Sequence, residues 1–196
     1  MSRARYSHLL APGSIGKLAL RNRIAVTAMG VNLAEADGTC GERLLAYHGE
    51  QARGGAGLII TGATGVAWPS GGVIPNQMAI SEDRFIPGIA ALADRVHAHG
   101  AKLALQLHHG GANAVEDMAA ARPMWVPSIP ARPSGDVSAM LLPEELAVAA
   151  GRIRSIAFRV LDGEDIRTLV EQFALAAQRA KRAGVDGLEI HGGHGY

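Results

Sequence analysis

Two imidazoles and a phenol follow one short apolar segment of this sequence. Segment 185–190 is typical of a buried strand, and His191, His194 and Tyr196 come directly after it. Two intervening glycines let the chain bend, so both imidazoles can reach one point. Paired donors of this kind stabilise negative charge that develops on an oxygen, and a neighbouring phenol can donate a proton. The structural alternative is that both histidines bond backbone carbonyls in a tight turn.

The elements that would position these groups alternate regularly along the chain. Four short apolar runs with little polar alternation predict strands buried on both faces, at 24–29, 58–61, 103–107 and 188–190. Three helical patterns lie between them, each followed by a glycine suited to a helix C-cap. The β-α alternation predicts parallel strands with right-handed crossovers.

The helix boundaries are predicted from capping residues and apolar spacing. Thr39 and Glu42 form a candidate capping box for a helix that ends near Gly54, and a second helix spans about 86–99. Asp162 can cap the third. The apolar stripe of this third helix comprises Ile166, Leu169, Val170, Phe173, Ala177 and Ala180.

A proline-rich stretch at about 110–161 interrupts the alternation. We interpret it as an irregular insertion, with a helix after Pro143, inside a single domain that spans residues 1–196. A linker there would separate the third strand from the third helix.

Composition excludes several classes of function. The chain has 196 residues, with 19 basic and 18 acidic side chains, so the charge balance attracts neither nucleic acid nor an anionic membrane. No apolar run approaches the ~20 residues of a membrane span, and the first residues lack the pattern of a signal peptide. The single Cys40 excludes an internal disulfide, which favours a reducing, cytoplasmic setting.

Polar or small residues follow every predicted strand, at the edge where α/β proteins bind ligands. In this arrangement the chain resembles the old yellow enzyme / NADH:flavin oxidoreductase family, in its 2,4-dienoyl-CoA reductase-like branch. The resemblance is carried, in matching order, by Leu20-Arg21-Asn22-Arg23-Ile24, Ala28-Met29-Gly30, Gly55-Ala56-Gly57-Leu58-Ile59-Ile60-Thr61, Gln106-Leu107-His108-His109 and Gly187-Leu188-Glu189-Ile190-His191-Gly192-Gly193-His194-Gly195-Tyr196.

The resemblance implies a TIM (β/α)8 barrel with FMN at the carboxyl edge of the strands, and it assigns roles to residues. The expected cofactor-binding residues are Ala28, Met29, Gly30, Ala63, Gln106 and His191, with the Gln106 amide at the pyrimidine edge of the flavin. His191 and His194 match the pair that binds the substrate oxygen, and Tyr196 matches the proton donor. The implied reaction is reduction of an activated C=C bond in a small molecule, with NAD(P)H as reductant and hydride transfer from flavin N5.

Some positions depart from the family pattern. Ala28 replaces a usual proline, Gly62 replaces a common glutamate, and Ala112 replaces a usual arginine. Cys40 does not match the thiol position near the flavin, which Gly30 holds. None of these changes removes a reacting group, but together they predict a looser cofactor site.

Other functions remain open at this point. Oxidative N-demethylation is the nearest alternative, because the same kind of pocket can send hydride to the flavin. A metal hydrolase with His109, His191 and His194 as ligands ranks low, because the first strand ends without a carboxylate or His-x-His, and we predict no metal site. A non-catalytic half-barrel is the third alternative.

The chain supplies only about the first four βα units of such a barrel, which needs eight strands. We therefore expect an N-terminal half-barrel, completed by the remainder of a longer chain or associating as a homo-oligomer. The first and fourth strands would be open edges, which favour pairing with other chains. We expect the isolated half to self-associate and to bind FMN weakly.

Overall fold

The computed structural model describes residues 5–129 and 156–196, together with Pro143, Ala147, Ala150, Gly151 and Arg154. Its helices and strands, in chain order, are α1 Ser7–Leu10, β1 Gly13–Ile15, β2 Leu18–Leu20, β3 Ala25–Val26, α2 Glu42–Arg53, β4 Leu58–Gly65, α3 Ile86–His97, β5 Lys102–His108, α4 Val115–Ala119, β6 Met124–Val126, β7 Phe158–Val160, α5 Gly163–Arg182 and β8 Gly187–Ile190. Short 3-10 turns occupy Asp83–Phe85 and Gly111–Asn113.

Four of the strands form one parallel sheet in the order β3-β4-β5-β8. These are the four apolar runs of the sequence, so the predicted β-α alternation and parallel pairing are confirmed. The helices α2, α3 and α5 are the three connections. Strand β3 is shorter than expected, because only Ala25 and Val26 pair with β4.

Successive residues of β5 point to opposite faces of the sheet. Leu103, Leu105 and Leu107 are fully buried in the main core, which packs between the sheet and the three helices. Ala104 points to the other face, where it packs with Leu20 and Leu58 in a second, smaller cluster. A fully buried leucine contributes about 1.5–3 kcal/mol to folding, so the helix-covered face supplies most of the stability.

Two details of the helices differ from the sequence prediction. Helix α2 begins at Glu42 after Gly41, without a side-chain cap, so the capping box of Thr39 and Glu42 is wrong. The Thr39 N–H instead bonds Asp37 Oδ1 at 2.9 Å, in a turn before the helix. The α5 prediction was better, because Asp162 and Asp165 form a complete capping box.

The apolar stripe predicted for α5 is only partly buried. Ala180 is buried, and Leu169, Phe173 and Ala177 pack against the core, but Val170 is 64% exposed, and Ile166 is exposed as well. On β8, which lies at the edge of the sheet, Leu188 and Ile190 are likewise exposed. The exposed margin of the described fold therefore comprises apolar side chains of α5 and of the edge strand β8.

The predicted insertion contains local structure rather than a plain loop. Strands β6 and β7 pair in parallel as a separate two-stranded sheet, and α4 precedes them. The helix expected after Pro143 falls largely on residues outside the described part of the chain. Within the described ranges, no helix has the length and apolar character needed to cross a membrane.

Candidate active site

The sequence-predicted site residues all lie at the carboxyl edge of the parallel sheet. Ala28, Met29 and Gly30 follow β3, and His191, His194 and Tyr196 follow β8. Ala63 and Gln106 lie near the carboxyl ends of β4 and β5. Because the four strands run in one direction, their carboxyl ends meet at one edge, as expected for an α/β ligand site.

Strand alternation also decides which of these side chains share a face. Gln106 is the register partner of Glu189 across β5 and β8, and His108 and His191 lie two residues further along their strands. Successive residues of a strand point to opposite faces, so these four belong to one face. It is the face that also carries Ala104, opposite the helix-covered core.

The segment after β3 packs closely against Gly62 of β4. A Cβ atom built on Gly62 would come within 2.3–2.5 Å of the backbone N, C and O atoms of Met29. The two backbones can approach this closely only because residue 62 has no side chain. The glycine at position 62 therefore lets the Met29 backbone lie against β4, while Met29 as a whole is 63% exposed.

Gln106 has a protein partner that the sequence did not indicate. Its Nε2 donates to Glu189 Oε1 at 2.7 Å, and the pair is half-buried. Glu189 therefore pairs with one end of this amide. Among the residues that the structure describes, the Gln106 Oε1 atom makes no hydrogen bond, so an acceptor remains available at the site.

The two imidazoles and the phenol after β8 form a cluster. His194 Nδ1 lies 3.4 Å from His191 Nε2, and the Tyr196 ring centre lies 4.7 Å from that of His191 and 6.1 Å from that of His194. The His191 N–H bonds Leu107 O at 3.0 Å and so ties the cluster to β5. The bend at the glycines therefore brings both imidazoles to one place, as the spacing predicted.

The turn that contains His194 is hydrogen-bonded to Asn113 of the predicted insertion. His194 has a φ of +56°, a backbone angle that residues other than glycine and asparagine rarely adopt. Asn113 Nδ2 donates to the His194 carbonyl at 2.9 Å, and the Tyr196 N–H bonds Gly193 O at 3.0 Å. In the described residues neither histidine ring donates to a backbone carbonyl, but His191 Nδ1 accepts from the Gly193 N–H at 3.5 Å, so the turn bonds one of the two rings.

The adjacent histidines of β5 have different surroundings. His108 is 1% exposed, and its ring contacts the rings of Tyr196 and His191. His109 packs against Gly71 and the Trp125 ring instead, and its Nδ1 accepts from Gly111 N. Burial, followed by the neighbouring imidazoles of His191 and His109, lowers the pKa of His108 to about 4.

The position of His109, away from His191 and His194, argues against the metal hydrolase alternative. His109 does not join His191 and His194, and no group of three or more His, Cys, Asp or Glu residues in the described ranges could hold a metal ion. Cys40 is buried beside the start of α3, and burial raises the pKa of its thiol to about 12, which leaves it unreactive.

Sequence reasoning missed Glu189 and left His108 undecided. The period-two pattern of β8 puts Glu189 on the same face as His191, so a signal for Glu189 was present. The contact with Gln106 depends on the register between β5 and β8, which are separated by about 80 residues of sequence. No local pattern encodes that register.

The edge of the parallel sheet where these side chains meet is the usual position of a ligand site in an α/β fold. The sequence matches the NADH:flavin oxidoreductase / NADH oxidase family over residues 8–196, so the chain belongs to that family, as the resemblance to old yellow enzymes indicated.

Three similar proteins show how far the likeness extends. The NADH oxidase of Thermoanaerobacter brockii is 34% identical over 192 residues, which are 97% of this chain and 26% of that protein. The cinnamate reductase of Clostridium sporogenes is 34% identical over 97% of this chain and 27% of its own length. The crystal structure of Old Yellow Enzyme from Pichia sp. AKU4542 superposes with a TM-score of 0.77 at 26% identity, covering 96% of this chain and 47% of that one.

The chain thus spans between a quarter and a half of the length of these relatives. The structural likeness confirms the fold prediction: the four-stranded sheet with its helices is part of a TIM (β/α)8 barrel.

Proposed function

We propose that this chain contributes its share of the active site to an FMN-dependent oxidoreductase that reduces activated C=C bonds with NAD(P)H. The observation that carries the proposal is the cluster of His191, His194 and Tyr196 at the same sheet edge as Gln106. Family membership supports the redox class, and the cinnamate reductase among the relatives supports an activated alkene as substrate.

The residues at the edge fit a flat, hydrogen-bonding ring. The available Oε1 of Gln106 suits an N–H group of a pyrimidine edge. Met29 and Gly30 are exposed, and Gly30 has no side chain that would keep its backbone from a flat surface. His191, which is half-buried beside Gln106, adds a ring nitrogen. The residues that would hold FMN are Ala28, Met29, Gly30, Ala63, Gln106 and His191.

The chemistry divides between the cofactor and the chain. When bound, FMN supplies the hydride for the β-carbon of the alkene. His191 and His194 would bind the oxygen of the activating group and stabilise the charge that develops on it. The Tyr196 hydroxyl would then donate a proton to the α-carbon. The half-buried position of His191 keeps these hydrogen bonds partly shielded from water.

The direct test is the visible spectrum of the purified chain during titration with FMN, followed by anaerobic addition of NADH or NADPH. We expect a perturbed flavin spectrum that bleaches with NAD(P)H and recovers on addition of an enone or enoate. Gln106→Ala should weaken FMN binding, whereas Gln178→Ala, on the exposed side of α5, should not. An unperturbed spectrum at all FMN concentrations would favour the non-catalytic half-barrel.

Two further results would redirect the assignment. Bleaching of the flavin by an N-methylated amine, without NAD(P)H, would favour oxidative N-demethylation. Stoichiometric zinc without flavin would favour a hydrolase.

We also propose that the exposed margin of the fold is covered by the rest of a longer chain or by a second copy. Leu188 and Ile190 are exposed on the edge strand β8, and Val170 is exposed on α5. Sedimentation velocity of this chain should show self-association and weak FMN binding. A monomer that binds FMN tightly would contradict this proposal.

A further inference from the structure

The side chain of Gln77 is held in one orientation by the backbone beside it. The Val73 N–H donates to Gln77 Oε1 at 2.9 Å. An amide bound in this way must use its nitrogen as the donor on the other side. That nitrogen, Nε2, lies 3.2 Å from His108 Nδ1. Gln77 is 1% exposed, so water does not compete for either contact.

This orientation fixes the proton of His108. Because Gln77 Nε2 donates to His108 Nδ1, Nδ1 must be the acceptor, and the neutral ring carries its proton on Nε2. The lowered pKa of His108, about 4, keeps the ring neutral across ordinary working pH. The tautomer is therefore assigned by the hydrogen-bond network rather than left free.

The proton on Nε2 has no nitrogen or oxygen acceptor. His108 Nε2 is buried and makes no hydrogen bond to any residue that the structure describes. Leaving a buried N–H without a partner costs about 1–3 kcal/mol, so its surroundings need an explanation. The two nitrogens of an imidazole point to different sides of the ring, so Nε2–H is directed away from Gln77.

The Tyr196 ring packs edge-to-face against the His108 ring. It lies 4.5 Å from the His108 ring, centre to centre, at an interplanar angle of 83°. This edge-to-face arrangement lets an N–H group on the edge of one ring point at the π face of the other, which is a weak hydrogen bond. The His108 backbone is itself fixed, because the Val66 N–H bonds His108 O at 3.1 Å.

We propose that Gln77 and His108 form a buried relay that positions Tyr196: Gln77 fixes the Nε2–H tautomer of His108, and that N–H holds the phenol ring by its face. His108 is thus a positioning residue for the proposed proton donor, and its role in the reaction rests on the proposed function. The relay would keep the Tyr196 ring in place beside the His191 ring, although Tyr196 forms no conventional hydrogen bond with Gln77 or His108.

His109 provides a matched control within the same chain. Its Nδ1 accepts from Gly111 N at 3.2 Å, so it carries the same tautomer, and its Nε2 is also buried without a partner among the described residues. Its nearest aromatic ring is Trp125, 5.8 Å away and tilted by 40°, and not Tyr196. A change at His109 removes a buried imidazole of the same tautomer without removing any hydrogen bond or ring contact of the relay.

The test uses NMR of this chain with isotope-labelled histidine and tyrosine rings, and it needs no flavin. We expect wild-type His108 to show a protonated Nε2 and an acceptor Nδ1. In His108→Phe, which keeps an aromatic ring but lacks the N–H, the cross peak between the Tyr196 and His191 rings should be lost. His109→Phe should retain it. Retention of the cross peak in His108→Phe, or a proton on Nδ1 of wild-type His108, would overturn the proposal.

A second pair of variants keeps the test decisive if His108→Phe fails to fold. In Gln77→Glu the carboxylate can still accept from Val73 N–H, but it draws a proton onto His108 Nδ1. Neutral His108 would then lack the Nε2 proton and regain it only when the ring is doubly protonated. Order at Tyr196 should therefore follow the titration of His108 in Gln77→Glu and show no such step in wild type. The same pH profile in both proteins would overturn the relay.

The contact with Tyr196 can be separated from any role of its hydroxyl. Tyr196→Phe should leave the His108 Nε2 signal near its wild-type position, because the π face remains, whereas Tyr196→Leu should shift it. These results are independent of FMN binding. If these NMR results are as expected but the chain binds no FMN, the proposed function is refuted and the relay stands. If the chain binds FMN but the NMR results differ from those expected, the relay is refuted and the proposed function stands.

Discussion

Gln106 Nε2 and Glu189 Oε1 lie 2.7 Å apart, across the register pair that joins β5 to β8. This bond links the third and fourth strands of the sheet on the face where the candidate site lies. It also points the Gln106 amide nitrogen toward Glu189, which leaves the oxygen for a ligand.

Removal of the Glu189 carboxylate should loosen this link. A hydrogen bond to a charged group contributes about 1.5–3 kcal/mol when buried, and less here because the pair is half-exposed. Glu189→Ala should therefore lower the free energy of unfolding in urea by about 1 kcal/mol. Glu189→Gln, which retains an acceptor oxygen, should lose clearly less. Equal losses in both variants would show that the bond adds no stability.

Gly62→Ala should displace the segment after β3. The new Cβ would lie 2.3–2.5 Å from the Met29 backbone, and overpacking of this kind costs about 1–3 kcal/mol. Thermal unfolding should show a lower Tm. The matched control is Gly192→Ala, where a Cβ meets nothing within 4 Å. If both substitutions change Tm equally, the close approach of Met29 does not limit stability.

Asp186 should make the stability depend on pH. Partial burial would raise its pKa, but bonds from the Leu103 N–H, Lys102 and His97 together lower it. A carboxylate with a lowered folded-state pKa stabilises the fold above its unfolded pKa of about 3.9, and this contribution is lost as pH falls through the folded value.

The measurement compares wild type with Asp186→Asn in urea at several pH values. The gap in unfolding free energy should be present at neutral pH and close progressively in acid below about pH 4. Asp94→Asn, at an exposed position of α3, serves as the control. A gap between wild type and Asp186→Asn that does not change with pH would contradict the assignment.

Replacing His191 or His194 with Ala should weaken phenol binding to the FMN-loaded protein. Loss of one donor to a charged oxygen corresponds to about 1.5–3 kcal/mol, or about ten- to a hundredfold in Kd. Phenol binding can be followed through the flavin spectrum. The exposed His8→Ala should leave the Kd unchanged. Unaltered affinity in both site variants would remove the pair from the oxygen-binding role.

Tyr196→Phe should separate the two half-reactions of the proposed enzyme. Loss of the proton donor should slow alkene reduction by about 10²–10⁴-fold, while reduction of the flavin by NAD(P)H should remain at the wild-type rate. Stopped-flow absorbance measures each half-reaction on its own. Equal slowing of both would mean that Tyr196 contributes to flavin binding rather than to protonation.

Much of the fold was predictable from local pattern. The four apolar runs, the glycines after the helices and the Asp162 cap each depend on residues close in sequence. Each was found where expected, except that β3 pairs over only two of its six predicted residues. The Thr39 capping box failed because Asp37 offers the Thr39 N–H a competing partner in a local turn. Ile166 and Val170 fit an apolar stripe but are exposed in the described part of the chain.

The sequence alone determined that strand ends carrying Met29, Ala63, Gln106 and His191 would meet at one edge, because parallel strands with helical crossovers allow no other arrangement. Tertiary structure decided the partners at that edge. Glu189 reaches Gln106, and His108 reaches Gln77 and Tyr196, over separations of 31 to 88 residues. Such contacts depend on strand register and on the paths of the intervening loops, which arise only when the whole sheet packs and which no short segment encodes.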